Sequence, residues 1–160
     1  MRTRSPVVSA TLISALVLAL AVIAIAADNS FVGTWKMNLS KSKINSGPAP
    51  KREIVTFTAQ DNGLKLIVDG IDGKGKAYHV AYAAKFDGKD YPLTGLAEAD
   101  TIAINRMDAN TFYELFKKAG KEVLSARLVV SKVKETLTRT TEEKNAKGQA
   151  VSDIEVYDKQ

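Results

Sequence analysis

The chain has 160 residues, a formal charge of +5 and no cysteine. Without cysteine there are no disulfides, thiolate metal sites, cysteine nucleophiles or cysteine-linked lipid anchors. Lysines are spread along the whole length, so the positive charge reads as solvated strand faces and turns, with no nucleic-acid surface implied.

In chain order, the first element is a leader. Arg2 and Arg4 precede an apolar run from about Val7 to Ile25, and Ala24-Ile25-Ala26 then places small residues at the spacing signal peptidase requires. The expectation is a signal peptide over residues 1–26, cut after Ala26, with Ala27 the near alternative. The rival reading is a membrane anchor, since the run is nearly long enough to span a bilayer. Small residues at its end and the lack of a following basic cluster favour cleavage. Residues 27–160 are then one exported domain, periplasmic or secreted, with no stable membrane insertion after cleavage. A secreted domain without disulfides must rely on its core, which suits a bacterial periplasm.

The rest of the chain is punctuated by turn chemistry: Asp61-Asn62-Gly63, Gly70 to Gly75, Asp87-Gly88-Lys89, Asp108-Ala109-Asn110, Ala119-Gly120-Lys121 and Asn145 to Gly148. The runs between are rich in Val, Ile, Thr, Tyr and Phe, which suits strands. Strands are expected at Phe31–Met37, Glu53–Ala59, Leu64–Asp69, Ala77–Ala84, Thr101–Met107, Thr111–Lys117, Glu122–Ser131, Thr136–Glu142 and Val151–Asp158, with a short tenth near Tyr91–Leu93. Leu39–Lys51 has room for one helical turn before Gly47-Pro48-Ala49-Pro50 stops it. The fold class is all-β, an up-and-down antiparallel meander of eight to ten strands. Closure into a barrel would remove its two exposed edges, and an open sandwich is the alternative.

Alternation assigns faces. Leu64, Leu66 and Val68 share one side of their strand, as do Tyr78, Val80 and Tyr82, and Leu124, Ala126, Leu128 and Val130. Glu114 falls between Phe112 and Phe116, which leaves that strand ambiguous. Arg106 continues the Ile102–Ile104 face, so it either enters the barrel mouth to meet an anionic ligand or snorkels to solvent. Tyr78 and Tyr82 offer an apolar wall with hydroxyl tips, which fits a small-molecule pocket or a dry core equally.

The stretch Phe31-Val32-Gly33-Thr34-Trp35-Lys36-Met37 resembles the first strand of the fatty-acid-binding proteins, and its Gly-x-Trp resembles the lipocalin signature. The terminal Val156-Tyr157-Asp158-Lys159 is similar to the last strand of the fatty-acid-binding group. These families share the calycin barrel. The whole chain also resembles small bacterial exported lipocalin-like proteins. The resemblance implies that Gly33 and Trp35 close one end of the barrel, with Arg127 or Arg139 laid across the indole. It departs from the fatty-acid-binding group at two places. Leu39–Lys51 is too short and too broken for a helical lid, and Glu155 stands where that group carries a carboxylate-binding Arg.

Other motifs read blandly. His79 stands among small alanines, and Asp69 to Gly75 lacks the acidic ligands of a calcium loop. Gly73 to Lys76 lacks phosphate-loop spacing, and Glu142-Glu143 are adjacent in a strand and face opposite ways. No catalytic residue, metal ligand or cofactor is assigned. The sequence thus supports a monomeric, non-enzymatic binder of a small apolar or amphipathic ligand, contacted by Phe57, Tyr78, Tyr82, Arg106 and Leu128. The alternative is a solid-cored barrel that acts through its surface on an envelope partner.

Overall fold

Among the described residues ten strands follow one another: β1 (Gly33–Met37), β2 (Arg52–Gln60), β3 (Gly63–Ile71), β4 (Ala77–Lys85), β5 (Tyr91–Thr94), β6 (Thr101–Asp108), β7 (Thr111–Lys118), β8 (Lys121–Val130), β9 (Thr136–Lys144) and β10 (Ala150–Lys159). The computed structural model describes residues 29–144 and 148–160. The expected signal peptide therefore lies outside the described residues. Each strand pairs antiparallel with its sequence neighbours, and β10 returns to β1, so the sheet is a closed, all-β barrel. The sandwich alternative is excluded by that closure.

Turn chemistry sets the hairpins. Gln60 pairs with Gly63, leaving Asp61-Asn62 as a two-residue loop in which Asn62 takes φ +51°. Asn tolerates this left-handed region because its short side chain bonds locally. Lys118 pairs with Lys121 around Ala119 and Gly120 in the same way. The weakest seam is β5, a short strand held by two register pairs to β4 and two to β6.

Two segments differ from expectation. Phe31 is not on the first strand, which begins at Gly33. It lies in a turn and is fully buried. The β1–β2 connection has no helix. It makes short turns, with Lys41 N–H donating to Asn38 and Ser42 N–H to Leu39, then lies along β10. Lys43 and Ile154 exchange backbone hydrogen bonds of 2.7 and 2.8 Å. Asp153 accepts from the Asn45 and Ser46 N–H groups at 2.6 and 3.0 Å. The connection is thus a strap on the flank of the barrel, where β1 has already ended.

One end of the barrel is a solid aromatic plug. Phe31 meets Phe112 edge-to-face at 4.6 Å between centroids, and Phe57 lies 6.0 and 6.1 Å from these two rings. Such pairs add about 0.5–1.5 kcal/mol each beyond the area they bury. Trp35 is fully buried, and its indole N–H donates to the Phe31 carbonyl at 2.8 Å, which ties the incoming chain to the first strand.

Candidate functional site

Beyond the plug the interior is hollow. A cavity of about 480 Å³ runs toward the opposite end. Its apolar walls come from inward positions of successive strands, among them Val55, Leu66, Val68, Val80, Leu124 and Leu128. Asp72 of the β3–β4 turn and the exposed Ala97 and Glu98 form its rim.

A chain of polar side chains crosses this apolar space. Tyr82 on β4 donates to Glu114 on β7 at 2.6 Å, spanning the lumen. Arg139 on β9 donates through Nε to Glu114 at 3.3 Å and through Nη1 to Glu155 on β10 at 2.8 Å. Tyr157 on β10 donates to Glu53 on β2 at 2.5 Å, and Tyr78, back on β4, donates to the other oxygen of Glu53. Register explains the reach. Arg139 and Glu155 are directly opposite, and Ala126 beside Glu114 leaves room for the diagonal bond. Glu53, Gly70 and Tyr78 form one row across three strands, and the Tyr78 ring crosses the space Gly70 leaves open.

Three carboxylates and one guanidinium occupy this network, and burial dominates their electrostatics. Desolvation pushes the Glu53 carboxyl up, with repulsion from Glu155 adding to it, while the two tyrosine hydroxyls and Arg139 oppose. Desolvation also raises Glu114 against the pull of Arg139 and Tyr82. Burial works against the Arg139 charge, but Glu155 and Glu114 outweigh it and hold the proton firmly. Burial, reinforced by the neighbouring carboxylates, raises all three tyrosines, which stay neutral donors.

Of the residues expected to meet a ligand, Tyr78, Tyr82 and Leu128 line the cavity. Phe57 does not. Its ring packs edge-to-face against Phe31 and Phe112 and belongs to the plug. Arg106 is also displaced from the expected place. It pairs with Phe112, so it sits at the plug end, where it is exposed, bonds Asn29 at 2.9 Å and lies 4.5 Å from the Phe86 centroid.

Neither expected arginine covers Trp35. Alternation turns Arg127 outward between the inward Ala126 and Leu128. Arg139 faces inward but lies in the lumen, 5.6 Å from the Phe116 centroid. The cation over the indole is Lys159, at 4.9 Å from the ring centroid, its Nζ also donating to the Val32 carbonyl at 3.2 Å. Gly33, at φ +133°, lies against the same lysine stem. His79 stands on the outer surface, 2.7 Å from Asp69.

Sequence reasoning missed Glu53, Glu114, Tyr157 and the role of Arg139. The available signal was parity: a charge between Phe112 and Phe116, and another two residues before the inward Val55, both on apolar faces.

No protein-family model matches the chain, and no curated protein matches it by sequence. Among solved structures, the zebrafish ileal bile acid-binding protein complexed with cholic acid is similar, with a TM-score of 0.54 and 11% sequence identity. The match covers 82% of this chain and 99% of that one. At that identity the likeness establishes the fold alone, the ten-stranded calycin barrel of the fatty-acid-binding proteins.

Proposed function

We propose that this chain is an exported carrier that holds one small amphipathic molecule in the barrel lumen and does not transform it. The observation that carries the reading is the cavity of about 480 Å³, apolar on its walls with a few convergent polar groups, which is the composition of small-molecule sites. A solid-cored surface module has no use for such a space. Empty apolar volume costs stability, so a hollow of this size is retained where something fills it. The similar bile acid-binding barrel is consistent with the reading. Export rests on the signal-peptide pattern of residues 1–26, a basic start, an apolar run and small residues at its end.

The test is native mass spectrometry of the protein expressed from its full reading frame and purified without detergent. The expected spectrum carries a discrete added mass that organic extraction removes, on a chain whose N-terminus is Ala27 or Asp28. A bare mass, together with tyrosine emission that no lipid or sterol in a broad panel perturbs, overturns the carrier reading. A retained leader overturns export.

A further inference from the structure

The hydrogen-bond balance of the lumen defines the head group it accepts, given that the lumen is a binding site. Every tyrosine hydroxyl in the network already directs its single hydrogen at a carboxylate: Tyr78 and Tyr157 at Glu53, and Tyr82 at Glu114. Arg139 is engaged by Glu114 and Glu155. A carboxylate accepts about four hydrogen bonds and a phenol oxygen accepts as well as donates. Even with all five N–H donors of Arg139 counted beside the three hydroxyls, acceptor sites exceed donors in this space.

Charge points the same way. Among the described residues that line the cavity, the acids are Glu53, Asp72, Glu98 and Glu114 against one cation, Arg139, and Glu155 behind it also claims that guanidinium. Backbone N–H donors in its turn, those of Lys76 and Lys74 among them, hold the rim acid Asp72 in its charged form. An incoming carboxylate would meet these acids with Arg139 already paired to Glu114 and Glu155, and juxtaposed like charges disfavour binding.

We infer that the lumen selects an amphiphile whose head group donates hydrogen bonds and carries no negative charge, an alcohol or an amine, with Glu53 and Glu114 as the acceptors and the walls taking its hydrocarbon part. Fatty acids and other carboxylates are the disfavoured class, and Glu155 on the last strand contributes to that exclusion through its claim on Arg139.

Three probes of one chain length test this: dodecylamine, dodecanol and dodecanoate, each titrated calorimetrically into the stripped protein near neutral pH, below its aggregation concentration. The amine or the alcohol is expected to bind at least about tenfold more tightly than dodecanoate. Dodecanoate binding as tightly as the better of the other two overturns this inference and leaves the carrier reading standing. Heat from none of the three overturns the carrier reading itself. In Glu53→Gln and Glu114→Gln, which keep side-chain shape, the preference over dodecanoate is expected to shrink by roughly threefold or more. An undiminished preference in variants that melt cooperatively overturns the assignment to these two carboxylates, and the wild-type comparison stands if either variant fails to fold.

Discussion

Gly70 is where a missing side chain does most for the site. It lies on β3 between Glu53 and Tyr78, and a Cβ there would come within 2.1 Å of Tyr78 Cζ. Its backbone is ordinary for a strand, so Gly70→Ala acts through space alone. The Tyr78 ring must swing away, and its hydroxyl then leaves Glu53. Overpacking of this kind costs about 1–3 kcal/mol, measured as a drop in the urea midpoint scaled by the m-value. Tyr78→Leu in the same chain removes the ring from the contested space, so the double variant should lose less than the sum of the singles. A strictly additive double variant would mean that the ring and Gly70 do not compete. Lys159 makes the complementary point at the closed end. It supplies by a flexible stem the cation over Trp35 that the resemblance assigned to an arginine, a pairing worth about 0.5–1 kcal/mol where exposed.

At the scale of elements, the strap between β1 and β2 shows how local chemistry substitutes for regular structure. Asp153 is buried and accepts from Asn45 and Ser46, including the Ser46 hydroxyl, while Lys43 pairs with Ile154 beside it. Asp153→Ala would leave those strap donors unpaired, at a cost of about 1–3 kcal/mol. The expected signature is faster amide exchange at Asn45, Ser46 and Ile154, with β7 and β8 unchanged. Uniform loosening of the whole barrel would show instead that Asp153 supports the core and not the strap.

The elements themselves were legible because Asn, Asp and Gly at the turns dictate tight hairpins, and most strand ends fall close to those residues. Face was legible too, for Tyr78, Val80 and Tyr82 or for Leu124 to Val130. Height along the barrel was not. Arg106 and Phe57 have inward parity, yet both belong to the plug end, which only the register of Arg106 with Phe112 and the ring contacts of Phe57 with Phe31 and Phe112 reveal. The contact of Tyr82 with Glu114 crosses the lumen between strands that are not neighbours, so no strand-by-strand pattern carries it.

For the whole molecule, the buried network and the surface acids make opposite demands on pH. The surface carboxylates Asp72, Asp87 and Asp158 are held below their ordinary 3.8, chiefly by backbone hydrogen bonds for the first two and by Lys41 and Asn38 for the third. A lowered folded value gives stability that is present above 3.8 and is lost as pH falls through the folded value. In the lumen, burial raises Glu53 and Glu114 above their ordinary 4.5. A raised folded value gives stability that is complete below 4.5 and is lost as pH climbs through the folded value, because ionisation then costs more inside the barrel than in the unfolded chain. Taken alone, these groups favour the window between 3.8 and 4.5, with a contribution that declines on either side. Urea midpoints recorded from about pH 3 to about pH 8 should trace that asymmetric curve. Glu114→Gln cannot ionise, so it should flatten the decline above 4.5 and leave the acid limb unchanged. A wild-type midpoint that stays level or rises from 4.5 toward neutrality would mean that Arg139 already compensates the lumenal carboxylates in full, and the excess of acceptors assigned to this barrel would then carry no excess of charge.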